Sequence, residues 1–201
     1  MTRRAQPVDD LTKGERTRKK LVDATAKLLR KQGYHATGLS EIVEESGAPR
    51  GSVYFHFPDG KDELAVAAIV QSGESWRARV ETVVADAKDL GTAITVIVNM
   101  LADDLEASGW ENGCPVAAVA LESISKKVRK AVVAHYTAWQ DGVTESMITR
   151  FGVPPAIAAQ LATVSLAAIE GALLLARVHE SREPLVTVGR ALQAMAVMVP
   201  K

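Results

Sequence analysis

Along most of the chain the apolar positions recur every three or four residues, the spacing of one face of an α-helix. From Lys13 onward Leu21, Thr25 and Leu28 form one stripe, Val22, Ala26 and Leu29 form an adjoining one, and Gln32-Gly33 supplies a stop: a first helix. Residues 39–45 give a short second helix with Leu39, Ile42 and Val43 inward, closed by Gly47. Pro49, whose fixed φ and missing N–H suit a first helical position, opens a third, and Phe57-Pro58-Asp59-Gly60 breaks the chain again. Residues 61–86 read as a long helix carrying Leu64, Ala68, Val80, Val83 and Val84. Residues 93–98 are β-branched enough for a strand, but Ile94, Ile97, Val98, Leu101 and Leu105 keep helical spacing, which decides for helix. A loop at 109–115 and helices at 116–122, 126–151, 155–178 and 184–199 complete an all-α chain of about nine helices. Residues 1–12 are polar and unpatterned, as in a flexible arm.

Composition agrees: 47% hydrophobic but only 4% aromatic residues favours helices packed on helices. The single cysteine, Cys114, excludes an internal disulfide framework, and no Cys/His cluster exists for structural zinc, so neither metal nor cofactor is expected and the compartment is a reducing one, the cytoplasm. The arginines near the start precede no apolar run, so no secretory signal is read there. Residues 161–178 are the most apolar stretch, yet Glu170 lies near the middle and Arg177 at the end, which argues for a buried helix and against a membrane partner.

Net charge is zero, but it is unevenly divided. Residues 1–61 hold 12 Lys/Arg against 8 Asp/Glu, and residues 62–201 hold 12 against 16. A basic segment on an acidic body suits attraction to phosphate at one end. In the same segment two short helices separated by a Gly-containing turn follow a longer helix, the pattern of a helix-turn-helix. The second short helix exposes Arg50, Gly51, Ser52, Tyr54 and His56, with Val53 and Phe57 inward; Gly51 lets backbone approach DNA, and the hydroxyls of Ser52 and Tyr54 suit phosphates or base edges. Thr37 reads either as a phosphate contact or as the N-cap of the helix near Leu39. Lys61 places a cation at a helix start, against the dipole's preference, which is either a phosphate contact or a solvated lysine. Arg3 and Arg4 read as a minor-groove arm or as solvent-facing charge, and Arg16, Arg18, Lys19 and Lys20 as general phosphate attraction or a solvated face.

The run Gly33-Tyr34-His35-Ala36-Thr37, then Ile42, then Gly47 through Phe57, then Lys61-Asp62-Glu63-Leu64, resembles the DNA-binding segment of the TetR family of bacterial transcriptional regulators over about 50 residues. The resemblance implies that Thr37, Tyr54, His56 and Lys61 grip phosphates and that Arg50, Gly51 and Ser52 lie at the major-groove bases. Two positions depart from the family pattern: Gly60 lengthens the connection before Lys61 by one residue, and Pro49 replaces the usual capping serine, leaving Ala48 as a weak cap. In the C-terminal half, Gly113 through Glu122 and Ala168 through Arg177 resemble the LmrA/YxaF-like subgroup, similar to repressors of drug-efflux or small-molecule-responsive genes.

The resulting expectation is a DNA-binding domain at residues 1–61 and a ligand-binding and dimerisation domain at 62–201, acting as a ligand-responsive repressor on a palindromic double-stranded DNA operator. The ligand site is expected among Asn99, Met100, Trp110, His135, Trp139, Met147 and Glu170, which suit an apolar aromatic inducer, although any one of the large apolar side chains taken singly is more at home in a helical core. Glu170, amid Leu166, Ile169, Leu173 and Leu174, must pair across an interface, bond a ligand or reach solvent. Ala167, Gly171, Ala172 and Leu175 are expected at a homodimer interface. His135 and His179 lack a second ligand at i+4, so neither metal binding nor catalysis is read there, and Cys114 reads as a redox sensor or a small buried side chain. The competing classes are a helical small-molecule enzyme or carrier with a degenerate DNA-binding head, an activator, and a ligand-independent DNA-binding regulator.

Overall fold

The computed structural model describes residues 11–122 and 124–198, so the arm carrying Arg3 and Arg4 lies outside the described residues. The described residues form helices α1 (Lys13–Ala36), α2 (Leu39–Ser46), α3 (Ser52–His56), α4 (Lys61–Asp86), α5 (Leu90–Ala107), α6 (Pro115–Ala120), α7 (Lys126–Phe151), α8 (Pro155–His179) and α9 (Glu183–Val197), with no strand among them. The β-branched stretch at 93–98 is helical within α5, which Asp89 opens by accepting the Thr92 N–H at 2.7 Å. Thr12, placed in the arm by sequence, is instead the N-cap of α1: its N–H donates to Glu15 at 2.8 Å and its hydroxyl accepts the Glu15 N–H at 3.3 Å.

Three boundaries differ from expectation. Gly33 bends α1 with φ 78° and ψ −172° without ending it, because helical residues resume as far as Ala36. Pro49 precedes α3 in a turn closed by the Ser52 N–H on the Pro49 carbonyl at 2.9 Å, so the helix proper begins at Ser52. α6 starts at Pro115 and stops at Ala120, leaving Glu122 beyond its end.

α1–α3 form a head and α4–α9 a body, but their interior is continuous. Leu21, Leu29, Ile42, Val53 and Phe57 of the head share one cluster with Leu64, Ala68 and Ile69 of α4, Val116 and Val119 of α6, and Val128 and Val132 of α7. A second cluster joins α5, α8 and α9 through Val98, Leu105, Ala172, Leu173, Ala176 and Leu185. A third, at the far end of α7, holds Met147, Val153, Ala158 and Leu161. Among the described residues, α8 alone is long and apolar enough to cross a membrane by length and composition. Its polar residues Glu170 and Arg177 both contact other parts of the protein.

Phe57 is fully buried at the point where α3 meets α1 and α4. Phe57→Ala is expected to cost about 3–5 kcal/mol of stability, measured as a fall in the denaturant midpoint followed by helical circular dichroism.

Candidate nucleic-acid interface

α2 and α3 are joined by a turn that needs Gly47, which takes the left-handed conformation at φ 61° and ends α2. Ala48 and Val53 then face inward, and the opposite side of the turn and of α3 is open to solvent. Arg50 and Gly51 are exposed there, Tyr54 is 63% exposed and Phe55 is 79% exposed. A Cβ at Gly51 would meet nothing within 4 Å, so an approaching backbone or base finds clear space. Among the described residues Arg50 forms no ion pair, which leaves its guanidinium available.

Ser52 and His56 are half-buried. The Ser52 hydroxyl donates to the Pro49 carbonyl in a short hydrogen bond, so it shapes the turn while its edge remains accessible. His56 stacks edge-on against Phe55 at 4.9 Å and lies beside Gly14 of α1, whose Cβ would come 3.7 Å from the imidazole. Arg18 covers Phe57 from the same helix, 5.0 Å from the ring centroid. The exposed basic start of α1 therefore borders α3.

Lys61 is half-buried, with Nζ 4.3 Å above the Tyr34 ring and 3.4 Å from the His35 carbonyl it donates to. Its ammonium is drawn over the α1–α2 corner, and Gly60, in a positive-φ conformation, is the N-cap of α4. Beneath it the Tyr34 hydroxyl donates to Asp62 in a short hydrogen bond. Burial first, and then the Asp62 carboxylate, push the Tyr34 phenol up to about 12, while hydrogen bonds from Ser125 and Tyr34 hold Asp62 below the usual carboxylate range.

Thr37 requires correction. Its side chain is fully buried and its hydroxyl donates to the Gly33 carbonyl at 2.6 Å, so it has no surface to offer a phosphate. Nor does it cap α2: that position is Gly38, whose N–H donates to Glu41 at 2.8 Å. Phe55 was missed, because inward and outward positions cannot be told apart by hydrophobicity where an aromatic faces water. The only sequence signal was its place between Tyr54 and His56, off the Val53–Phe57 face.

The predicted ligand residues do not form one site. Met147 is buried in the third cluster, whereas Trp110 packs against the second, and Asn99 points to solvent. Met100 and Trp139 are half-buried and belong to neither of these clusters. His135 is wedged against α4 at Gly73, where a Cβ would come 2.6 Å from Nδ1, and burial lowers its pKa. Glu170 does have a polar setting: it is hydrogen-bonded to the Cys114 thiol and close to Tyr136. Burial raises the Glu170 pKa and, with the nearby carboxylate, pushes the Cys114 thiol up to about 12, which disfavours the thiolate. An open groove of about 610 Å³ between α5 and α9 is lined by other residues, among them Lys88, Asp89, Thr92 and Arg190.

Ala172 also leaves its predicted place, being 2% exposed inside the second cluster. The outward stripe of α8 is Val164, Ala167, Gly171, the adjacent pair Leu174 and Leu175, and Val178.

Comparison with known proteins places this geometry. Residues 21–68 match the family described as bacterial regulatory proteins, tetR family, and residues 91–191 match the C-terminal domain of LmrA/YxaF-like transcriptional regulators. The chain is 33% identical over 171 residues to the HTH-type transcriptional regulator LmrA of Bacillus subtilis, covering 84% of this chain and 90% of that protein. It is 32% identical over 183 residues to an uncharacterized HTH-type transcriptional regulator of Mycobacterium tuberculosis, covering 88% and 92%. The fold alone is shared with a TetR regulatory protein from Rhodobacter sphaeroides, with a TM-score of 0.77 at 22% identity over 89% of this chain and 97% of that one. A helix-turn-helix head whose reading face is open, on a body of LmrA/YxaF type, makes this chain a member of the TetR family of bacterial transcriptional regulators.

Proposed function

We propose that the protein is a ligand-responsive repressor that binds a palindromic operator as a homodimer in the cytoplasm and is released by an apolar, aromatic small molecule. The observation that carries the DNA-binding half is the α3 face, where Arg50, Gly51, Tyr54 and Phe55 point outward from a buried Val53–Phe57 seam. Arg50 suits a guanine edge, Tyr54 a phosphate, and Phe55, which has no polar atom, a thymine methyl. Lys61, held over the corner, adds a cation beside the phosphate path.

Support for the dimer comes from the α8 stripe, an unpartnered apolar row that a monomer would leave in water. Two copies joined there set two α3 helices to meet successive major grooves about 34–36 Å apart. Gly171 sits in that row with nothing within 4 Å of a Cβ inside the protomer, so a larger side chain there acts on the partner and not on the fold. Gly171→Leu is expected to shift sedimentation toward monomer without lowering protomer helicity.

The inducer reading rests on Glu170. A carboxyl among Cys114, Tyr136 and Ile169 is a polar anchor in an apolar surround, matched by a hydroxyl or cationic group on a flat apolar ligand. Its raised pKa has a signed consequence. The folded protein favours the protonated form, so the stability it contributes is present at acid pH and lost as the pH rises through the raised value. Glu170→Gln is expected to stabilise the ligand-free protein at neutral pH, with the gain vanishing below the usual carboxylate range; thermal melts at the two pH values check it. Apolar aromatic compounds titrated against tryptophan fluorescence and operator release test the inducer itself, and a response confined to phosphorylated or metal-ion ligands would overturn it.

For DNA, the test is binding to operator duplexes selected from random sequence. Arg50→Ala is expected to cost about 1–3 kcal/mol on the preferred sequence and to relax specificity at one position. Lys61→Ala is expected to weaken all sequences alike and to shallow the salt slope by about one unit. Unchanged affinity in Arg50→Ala, Tyr54→Phe and Lys61→Ala together would overturn the assignment of this face to DNA.

A further inference from the structure

The bend in α1 is held by the body. Beyond Gly33 the backbone N–H groups of Tyr34 and His35 both donate to one carboxylate, that of Glu122, at 2.6 Å each. Glu122 lies past the end of α6, remote in sequence from the groups it holds. On the other side of the bend the Lys31 carbonyl accepts from Arg177 of α8 at 3.2 Å, and the Lys31 ammonium pairs with Glu111 at 2.9 Å. The Tyr34 hydroxyl bonds Asp62 of α4, which Ser125, the N-cap of α7, also bonds. Gly33 is constrained twice: its φ of +78° disfavours a side chain, and a Cβ would lie 2.1 Å from the Glu122 Oε1.

The far ends of the same elements meet at the polar centre of the body. Cys114, the N-cap of α6, lies against Glu170 of α8, and Glu122 follows the other end of α6. Glu170 and Arg177 are seven residues apart on α8, two turns along one face. Arg177 thus lies on the same helix as Glu170, and Glu122 follows the helix that Cys114 caps.

We infer that Glu122 is a positioning residue for DNA recognition: its carboxylate, bonded to the Tyr34 and His35 N–H groups, fixes the angle at which the head leaves the body and so the separation of the two α3 helices in the dimer. Charge-assisted bonds to two consecutive donors define a direction as well as a contact, which a single neutral bond does not. The inference rests on the dimeric-operator reading above and adds the group that sets its geometry.

The test compares the full-length wild type, Glu122→Ala and Glu122→Gln on three duplexes: the selected operator, the same operator with two base pairs inserted between its half-sites, and a single half-site. Wild type is expected to prefer the native spacing by about tenfold or more, since simultaneous engagement fails when the geometry forbids it. Glu122→Ala is expected to bring the two spacings within about threefold of each other through loss of that geometric constraint, with half-site affinity unchanged. Glu122→Gln falls between them, because its amide oxygen accepts one N–H while its NH₂ faces the other. Should Glu122→Ala unfold the head, Glu122→Gln carries the test on the same ratio. Retention of the wild-type spacing preference by Glu122→Ala overturns the inference and leaves the dimeric operator standing. So does a loss of half-site affinity that accounts for the whole change, since that marks a mere structural prop. A wild type indifferent to spacing overturns the dimeric-operator reading and this inference with it.

Discussion

Burial of Phe57 against Leu21, Ile42 and Leu64 is the contact on which the rest of the molecule depends. α2 has eight residues and α3 five, lengths at which isolated helices do not persist in water. Neither has a core of its own to close. Both are shaped by the same apolar cluster that continues through α4 into α6 and α7. The outward face of α3 is thus held by a cluster to which α1, α4, α6 and α7 all contribute.

The polar groups at the head–body junction follow from that arrangement. A bent helix end drawn into an interface exposes backbone donors and acceptors that must be satisfied within the protein. Glu122 and Arg177 satisfy them from the body side, while Asp62 of α4 accepts from the Tyr34 side-chain hydroxyl beside them. Glu170 is the exception, a half-buried carboxyl beside a thiol, whose surroundings favour its neutral form.

The fold was legible in the sequence wherever periodicity was strong: α4, α5, α7 and α8 lie where apolar spacing put them, and the motif around Gly47 through Phe57 identified the reading helix. What escaped was set by contacts distant in sequence. Thr37 is an ordinary capping residue by type, and only the bend at Gly33 turns its hydroxyl inward. Ala172 looked like part of a small-residue face, but the packing of α5 and α9 decides which side of α8 is covered. Trp110 and Met147 do not share a place, because Trp110 packs against the cluster of α5, α8 and α9 and Met147 lies in the separate cluster at the far end of α7. Glu122 carried no local signal at all, since its partners are backbone groups of another helix.

α3 owes its shape to two inward residues, Val53 and Phe57, while Arg50, Gly51, Tyr54 and Phe55 contribute little to holding it together. Stability and readout are therefore assigned to different residues of the same five-residue helix and its entry turn. Lineages descended from such a protein are free to rewrite which operator they recognise, one outward side chain at a time, without passing through unfolded intermediates. The residues barred from that freedom are the buried ones, Val53 and Phe57.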